Sequence, residues 1–530
     1  MTRRLPLIIL VLLVAPAGPD ADTFARQALS PEGPLRIVGF ADPQRVQKLS
    51  TAFPEIDRTL REFAAREHIP GAALGVIIDG KLAHVAVTGM RDTTAKAAVD
   101  ADTVFRIASM TKSFTAMAIL KLRDEGKLSL DDPAERYVPE LKTLAYPTGD
   151  APRITVRHLL SHATGFPEDN PWGDQQLAAT DADMDAMMKA GIPFSNPPGV
   201  AYEYSNYGFA ILGRIVSNVA RMPYRQYVDT QILRPLGLRA TTLEPRDVPA
   251  ARLAHGYRWE DERWKEEPQL ADGAFGAMGG MLTSLNDLAR YVAVFIDAWP
   301  PRSGPEQPPL RRASLREMQQ IARPRATIVS KGATGAVQLN AGGYGYGLGI
   351  SETCRFGHVV AHSGGLPGFG SQMRWLPDYA IGLIAMGNRT YTAWGGVFNA
   401  AVELLDKTGG LQPRMAHPAP ALETAKREVS QLIVKWDDAL ADRVAAVNLF
   451  LDRSKDRRRR EIEELRAKIG TCTADAPFAH VENALRGTWA LKCERGELGV
   501  AITLAPTMPP RVQYLEVSAG LTPVRPACTP

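Results

Sequence analysis

The sequence predicts an α/β protein, in the α+β sense, with a largely antiparallel sheet assembled from distant parts of the chain. Three observations predict this fold class. An apolar hairpin lies early, at 73–87, a helix-rich stretch follows it, and short apolar strands return after residue 344. Strands that flank a helical stretch on both sides have to meet in one sheet, and the hairpin makes that sheet antiparallel where it begins.

Length and composition limit the class of protein. The 530 residues provide room for about three domains, at roughly 150 residues each. Apolar residues make up 45% and charged residues 23%, which is typical of a globular chain with a hydrophobic core. The formal charge of +4 is too small at this length to indicate a nucleic-acid partner, and we expect none. Four cysteines exclude a disulfide-scaffold protein.

The first residues have the layout of a secretory signal peptide. Arg3 and Arg4 precede an apolar run at 5–14, and Ala15-Pro16-Ala17 follows it as a small-residue cleavage site. The apolar run is too short for a bilayer-spanning helix, which needs about 20 residues. We therefore expect residues 1–17 to be a signal peptide. The mature protein is expected to be periplasmic or secreted, without a stable membrane span.

The secondary-structure elements of the first 410 residues follow from their patterns. Apolar residues spaced by about four predict a helix at 54–68, and Asp79-Gly80 predicts the tight turn of a hairpin between strands at 73–78 and 82–87. Further helices are predicted at 109–126, 156–162, 207–220, 224–232, 285–296 and 399–407. Further strands are predicted at 359–362, 372–376 and 381–386.

The sequence changes character after residue 410. Prolines at 413, 418 and 420 indicate a linker, and a long charged helix is predicted over 423–468. Three strands are then predicted at 486–493, 498–505 and 512–517. The predicted domains are thus a main domain at 50–410, a linker and long helix at 411–470, and a small β-rich domain at 471–530.

The cysteines admit more than one arrangement. Cys472 and Cys493 bracket the first strand of the small domain, and in an oxidising compartment they are the favoured disulfide. The alternative is that both are free, buried thiols. The pairing of Cys354 and Cys528 stays open.

A run of four arginines, Arg457-Arg458-Arg459-Arg460, lies within the predicted long helix. A nucleic-acid or acidic-lipid patch is one interpretation. Acidic residues four positions on favour a solvated helix with ion pairs instead. The expected pairs are Arg457–Glu461, Arg459–Glu463 and Arg460–Glu464.

The strongest candidate for chemistry is Ser109-Met110-Thr111-Lys112. A serine and a lysine three apart on a helix lie on the same face. A hydroxyl is a weak nucleophile until a nearby group takes its proton, and a lysine with a lowered pKa can do so. The motif alone is also compatible with an ordinary amphipathic helix.

Two further motifs follow in order, Tyr204-Ser205-Asn206 and His362-Ser363-Gly364-Gly365. With them the chain resembles the penicillin-recognising serine hydrolases, which include class C β-lactamases, family VIII esterases, D-aminopeptidases and D-Ala-D-Ala carboxypeptidases. The resemblance covers roughly 50–410 and extends to flanking blocks at 105–109, 156–162, 204–208 and 279–282. It implies a five-stranded antiparallel sheet flanked by helices, next to an all-helical lobe (a β-lactamase/transpeptidase-like fold), with the site between sheet and lobe.

The resemblance also implies residue roles. Ser109 is the expected nucleophile, and Lys112 and Tyr204 its base system, in which the tyrosine either takes the serine proton or relays it. Asn206 is expected to hydrogen-bond Lys112 and the substrate.

The second half of the implied site is a strand. His362, Ser363 and Gly364 occupy the strand positions where many relatives carry Lys-Thr-Gly, and are expected to bind substrate. The backbone N–H groups of Ser109 and Gly365 are the expected oxyanion hole.

His362 departs from the lysine of the β-lactamase pattern. A histidine is mostly neutral at pH 7, so an efficient β-lactamase is expected less than a hydrolase of esters or D-amino-acid peptides. If His362 contacts substrate, its protonation, near pH 6.5 unless the cleft shifts its pKa, should strengthen binding of carboxylates. The alternative is that His362 only packs the end of the strand. The alternatives are a class C-like β-lactamase and a non-catalytic penicillin-binding or sensor protein.

Other chemistries lack their motifs. His158 and His162 have a zinc-compatible spacing, but no HExxH glutamate lies between them, and a helix packed under the site explains them. The glycines at 343–349 do not form a nucleotide-binding loop. We therefore expect no metal and no cofactor. The expected partner is a small-molecule or peptide substrate, and the sequence leaves the oligomeric state open.

Overall fold

The computed structural model describes residues 39–331 and 337–520. The predicted signal peptide, the run of residues before 39 and Cys528 lie outside the described residues. The chain divides into two compact units, which are treated separately below. The large unit consists mainly of residues 39–301 and 305–414, and the small unit mainly of residues 415–520.

The strands of the large unit are β1 Gly71–Ile78, β2 Lys81–Asp92, β3 Ala97–Ala98, β4 Val104–Arg106, β5 Gly256–Glu260, β6 Arg263–Glu267, β7 Leu282–Ser284, β8 Arg323–Pro324, β9 Ile328–Lys331, β10 Val337–Tyr344, β11 Gly349–Thr353, β12 Gly357–Leu366, β13 Phe369–Leu376 and β14 Ile381–Gly387. Its α-helices are α1 Arg45–Ser50, α2 Phe53–Arg66, α3 Thr111–Asp124, α4 Val156–Leu160, α5 Trp172–Gln175, α6 Asp181–Ala190, α7 Asn206–Ala220, α8 Tyr224–Val228, α9 Gly276–Gly279, α10 Leu285–Ala298, α11 Arg312–Met318 and α12 Gly395–Lys407. Its other helices are 3₁₀ turns at Ala108–Met110, Ala134–Arg136, Pro139–Thr143, Pro245–Asp247 and Pro377–Tyr379, and a π turn at Asp229–Leu233.

One antiparallel sheet organises the large unit. Its strand order is β3-β2-β1-β14-β13-β12-β11-β10-β8, and β9 pairs with β10. The five strands that the sequence predicts, β2, β1, β14, β13 and β12, are consecutive in this order. The predicted antiparallel sheet is confirmed, and it continues past the expected five strands. The sequence pattern did not predict strand β10, because its Ala-Gly-Gly run has low β-propensity.

Two hydrophobic layers cover the central strands. In β1, Leu74 and Val76 pack with α2 and α12 on one face, whereas Ala73 and Ile77 face the core that contains α3 and α10. All eight residues of β1 and all seven of β14 are buried. This double coverage explains why both strands read as continuous apolar runs rather than alternating ones.

The helices begin where the sequence provides caps. Ser284 caps α10 by accepting a hydrogen bond from the backbone N–H of Asp287, and Ser205 caps α7 by accepting from Gly208. The predicted helix at 224–232 is α-helical only to Val228, and a π turn completes it. The helices α3 to α8 form the helical lobe, and it lies in sequence between β4 and β5.

The small unit combines helices with a four-stranded antiparallel sheet. Its helices are α13 Pro420–Val434, α14 Asp438–Val444, α15 Leu449–Asp452 and α16 Lys455–Ile469, and its strands are β15 Phe478–Asn483, β16 Arg486–Cys493, β17 Gly496–Leu504 and β18 Val512–Ala519. The sheet order is β15-β16-β17-β18, and one hydrophobic core joins sheet and helices. A disulfide joins Cys472 to Cys493, the pair that the sequence favours.

The prediction of one long helix over 423–468 is wrong. The structure divides this stretch into four helices. Asp437 and Ser454 accept backbone hydrogen bonds at the starts of α14 and α16, so each begins a new helix. The turns between them let apolar residues of separate helices reach one core.

The arginine run lies on α16. Arg457 pairs with Glu461 at 3.0 Å, as expected, whereas Arg459 lies 3.7 Å from Asp456 rather than beside Glu463. Arg458 instead donates to backbone carbonyls of Leu449 and Leu515. Part of the run therefore fixes α16 to its own unit.

Across residues 39–331 and 337–520, none of the helices has both the length and the apolar character needed to cross a bilayer.

Gly347 lets the backbone pass close to the helix that carries Lys112. Its φ is 69°, and an added Cβ would lie 2.6 Å from the Lys112 carbonyl oxygen. Gly126, with φ 71°, has the same left-handed backbone and open space around it. Gly347→Ala should lower the free energy of unfolding by about 2–5 kcal/mol, from backbone strain plus steric overlap. Gly126→Ala should cost about 1–2 kcal/mol from strain alone. Chemical denaturation of the full chain, followed by circular dichroism, measures both, and equal losses would contradict the close approach.

Candidate active site

A cleft of about 670 Å³ lies in the large unit, where the helical lobe meets strands β10 to β13. Its volume is typical of a small-molecule site. Its lining residues come from both sides and are Ser109, Asn170, Pro171, Asp174, Tyr202, Tyr204, Arg325, Tyr344, Gly349, Ser351, Ala361, His362, Ser363, Gly365, Gln372 and Tyr391. All three sequence motifs therefore meet at one cavity.

Ser109 lies in the 3₁₀ turn that leads into α3. The preceding Ala108 has φ 49°, a left-handed conformation that an alanine rarely adopts. Gly364 of β12 makes this turn possible, because a Cβ there would lie 2.1 Å from the Ile107 carbonyl oxygen. The Ser371 hydroxyl on β13 donates to the same carbonyl at 2.8 Å. The sheet thus holds the turn that presents Ser109.

Lys112 is fully buried beneath Ser109. Its Nζ lies 3.1 Å from Ser109 Oγ, 2.6 Å from Asn206 Oδ1 and 2.8 Å from the carbonyl oxygen of Met278. The two carbonyl-type oxygens can only accept hydrogen bonds. A neutral amine donates two hydrogen bonds and accepts one, so in that state its lone pair faces the serine hydroxyl.

The surroundings of Lys112 favour this neutral state. Burial lowers the pKa of Lys112 from 10.5 to about 7, and the negative charges of Asp174 and Asp169 oppose that shift. The Tyr204 ring, whose centre lies 4.8 Å from the amine, likewise opposes the shift, because an aromatic face attracts a cation. An amine with such a pKa is poised to take a proton near neutral pH.

Tyr204 completes the group around the serine hydroxyl. Burial raises the pKa of the Tyr204 phenol well above its usual 10, although a hydrogen bond with Ser109 opposes the shift. The phenol therefore keeps its proton at neutral pH. The His162 ring packs on it with centroids 4.3 Å apart, and His162 Nδ1 accepts from the Ser205 backbone N–H at 3.1 Å. His162 thus packs against the tyrosine and supports its ring.

Asn206 is completely buried and both ends of its amide are engaged. Oδ1 accepts from Lys112, as the sequence predicts, and Nδ2 donates to Asn170 Oδ1 at 2.6 Å. Asp169 accepts backbone hydrogen bonds from Asn206 and Tyr207, at 2.7 and 2.8 Å, and so fixes the start of α7. Asn206 lies under the cleft, where it orients Lys112, and does not line the cavity.

His362 lines the cleft but does not present a free ring nitrogen. Nε2 pairs with the Tyr344 hydroxyl at 2.9 Å and Nδ1 with the Ser363 carbonyl oxygen at 2.6 Å. Burial, together with the smaller effect of the neighbouring Lys112 charge, lowers the pKa of His362 to about 3. The expectation of a protonation near pH 6.5 is therefore wrong, because the ring is enclosed and neutral across the usual assay range.

The other residues of the strand motif differ in whether they line the cleft. Ser363 and Gly365 line the cleft together with Ser109. Gly364 packs against Ile107 and is a close-approach position rather than a cleft residue. The strand β12 therefore brings the Gly365 backbone to the cavity that contains the serine.

Sequence reasoning missed two charged residues that line the cleft. Arg325 follows β8 and lines the cleft, 5.5 Å from the Tyr202 ring centre. Asp174 is buried and accepts from the Tyr391 hydroxyl at 3.0 Å. No short motif surrounds either residue, so only the fold identifies them.

Within the described residues, no group of three or more His, Cys, Asp and Glu side chains is arranged to hold a metal ion.

Comparison with known proteins points to one family. Residues 56–406 match the family model described as Beta-lactamase. Protein flp of Staphylococcus aureus (strain MW2) is 29% identical over 338 residues, which is 63% of this chain and 62% of that protein. Penicillin-binding protein 4* of Bacillus subtilis (strain 168) is 26% identical over 322 residues, 57% of this chain and 64% of that protein. The chain thus spans less than two thirds of the length of these relatives.

A solved structure shares the fold. The octameric penicillin-binding protein homologue from Pyrococcus abyssi superposes with a TM-score of 0.57, at 21% sequence identity, over 85% of this chain and 96% of that one.

The lowered pKa of Lys112 predicts a pH profile. Loss of its proton creates the base, so kcat/KM for a neutral ester should rise with pH and level off above about 7. Asp174→Asn removes a charge that raises the pKa of Lys112, so the acid limb should move to lower pH. His362→Asn should leave the midpoint of the limb in place, because His362 is neutral throughout. An unmoved limb in Asp174→Asn would contradict the electrostatic coupling.

Lys112 and Tyr204 should both act on proton transfer rather than on uniform binding. Lys112→Ala and Tyr204→Phe should each lower kcat about 10²-fold or more, with a much smaller change in KM. Tyr207→Phe is a matched control, because its buried hydroxyl has no hydrogen-bond partner among the described residues. Steady-state kinetics with one ester measures kcat and KM for the three variants. A kcat near the wild-type value in Lys112→Ala or Tyr204→Phe would show that the substituted residue takes no part in proton transfer.

Proposed function

Because this chain belongs to the Beta-lactamase family, we propose that it is an extracytoplasmic serine hydrolase that forms an acyl-enzyme on esters or D-amino-acid peptides. Ser109 is the proposed nucleophile, Lys112 its base, and Tyr204 the proton donor to the leaving group.

The observation that carries the proposal is the set of acceptors around Lys112. Asn206 Oδ1 and the Met278 carbonyl oxygen accept hydrogen bonds from the two N–H groups of a neutral amine. The lone pair of that amine is then left to accept a hydrogen bond from the hydroxyl of Ser109. This arrangement favours lysine over tyrosine as the base, since the phenol of Tyr204 holds its proton firmly. A serine oxygen that gives its proton to lysine can still accept a hydrogen bond from the phenol.

The reaction follows from these roles. Ser109 Oγ attacks the carbonyl carbon as its proton passes to Lys112, and the tetrahedral intermediate forms. The bond to the leaving group then breaks, and the leaving group departs with a proton from Tyr204, which Lys112 replaces. Water attacks the acyl-enzyme by the same route and releases the acid, restoring the hydroxyl of Ser109.

The oxyanion of the intermediate needs donors that are already in place. The backbone N–H groups of Ser109 and Gly365 are the proposed pair, since both residues line the cleft. One such donor is typically worth about 2.7–4 kcal/mol in the transition state.

The preference for esters and peptides over β-lactams rests on His362. Its ring is neutral and both its nitrogens are engaged, so this strand position lacks the permanent cation of a lysine. The proposed location outside the cytoplasm rests on the signal-like residues 1–17 and is supported by the Cys472–Cys493 disulfide.

The nucleophile can be tested directly. Ser109→Ala should abolish covalent labelling by a fluorophosphonate probe and hydrolysis of p-nitrophenyl esters, with an unchanged circular dichroism spectrum. Ser113→Ala is the matched control, because Ser113 lies on the same helix with its hydroxyl bonded to the Met110 carbonyl, away from the cleft. Labelling that persists in Ser109→Ala would overturn the assignment.

The substrate class is tested by comparing the turnover of esters, D-peptides and a penicillin by the wild-type protein. Ester or D-peptide turnover well above that of a penicillin is the expected result. Rapid hydrolysis of the penicillin would instead favour a β-lactamase, and stable labelling without any turnover would favour a penicillin-binding sensor.

A further inference from the structure

The cleft contains an exposed cation without an acidic partner. Arg325 is exposed, and its guanidinium lies by the phenol ring of Tyr202, with which it forms a hydrogen bond. Its backbone N–H donates to the Gly342 carbonyl at 2.9 Å, which ties the segment to β10. In the described part of the chain no carboxylate pairs with this guanidinium. An arginine held in a cleft by its backbone and by an aromatic ring is suited to a carboxylate on a ligand.

On the lobe side, the cleft contains an acid without a cationic partner. Asp174 is 2% exposed, lines the cavity and accepts one hydrogen bond, from Tyr391 to Oδ2. No Lys, Arg or His of the described chain forms an ion pair with it. A buried carboxylate is normally paired. Burial raises the pKa of Asp174 and the charges of Asp169 and Glu168 raise it further, whereas the Tyr391 hydrogen bond and the charge of Lys112 lower it. Among the described residues no cation is in direct contact with this carboxylate, and a ligand ammonium in the cleft would supply one.

The two residues lie by different walls of the cavity. Arg325 belongs to the segment tied to β10, and its charge lowers the pKa of His362 on β12, whereas Asp174 is on α5 of the helical lobe. Ser109 lines the same cavity, so a ligand that engages both walls can bring its carbonyl to the serine.

We propose that this cleft selects short peptides or their analogues with both termini free, Asp174 binding the ammonium group and Arg325 the carboxylate. The inference rests on the proposed acyl-transfer function and names its substrate class. In a peptide the amine belongs to the acyl part and the carboxylate to the leaving part. One opposite charge at each wall therefore matches the polarity of a peptide whose scissile bond lies between them.

Four matched substrates test the proposal. They are D-alanyl nitroanilides with and without a carboxylate on the anilide ring, each with the amine free or acetylated, and the L enantiomers serve as stereochemical controls. Rates are measured well above the acid limb, so that changes in the pKa of Lys112 affect all four alike. A ratio of kcat/KM between two substrates cancels any loss of catalysis that they share.

In the wild-type protein, acetylating the amine or removing the carboxylate should each lower kcat/KM by about ten- to a hundredfold, the range of a charge-assisted hydrogen bond. Arg325→Gln should erase the preference for the carboxylate and keep that for the amine. Asp174→Asn should do the reverse. Arg325→Lys and Asp174→Glu, which keep the charges, should retain part of each preference.

The outcomes separate this inference from the proposed function. If p-nitrophenyl acetate is hydrolysed in a Ser109-dependent way but either preference is absent in wild type, or survives in the matching variant, the inference is overturned and the hydrolase remains. If no ester or anilide is hydrolysed and Ser109 is not labelled, the proposed function itself fails.

Discussion

The site depends on a lysine that is completely buried. Removing an ammonium group from water is costly unless its charge is paired or lost, and the surroundings of Lys112 contain acceptors rather than a directly bonded carboxylate. The fold therefore stabilises the neutral amine, and Asp174 and Asp169 moderate the shift from a distance. A lysine more exposed to water would keep its proton, and a lysine without these acceptors would have no fixed direction for its lone pair.

Placing two acceptors and the serine hydroxyl around one amine requires three distant segments. Asn206 starts α7, Met278 lies on α9, and Ser109 precedes α3. Each is fixed by a different interaction: Asp169 holds the start of α7, the Thr111 hydroxyl accepts from the Met281 backbone, and Gly364 lets β12 reach the turn at Ser109. The antiparallel sheet is the common support, because β12 and β13 both touch that turn.

How much of the structure could be predicted from the sequence depends on whether each element is determined by local sequence patterns or by contacts between distant segments. The hairpin, the amphipathic helices and the central strands depend on local patterns and were predictable, as were Ser109 and Lys112, which share one helical turn. The break of the predicted long helix at Asp437 and Ser454 was missed, because its apolar residues keep a helical period on either side. The glycine-rich β10 was missed because pairing with its neighbours, rather than its composition, makes it a strand.

Charge in the cleft shows why chemistry was easier to predict than specificity. His362 stands at the motif position of a cation, but Tyr344 and Ser363 occupy its ring and burial keeps it neutral. The exposed cation of the cleft, Arg325, comes from a segment that no motif identifies. Proton transfer needs groups within hydrogen-bond distance of Ser109. These groups therefore occur in short motifs that can be recognised in the sequence. A substrate terminus several ångströms away can be met from any loop that reaches the cleft, and only the folded chain reveals which loop does so.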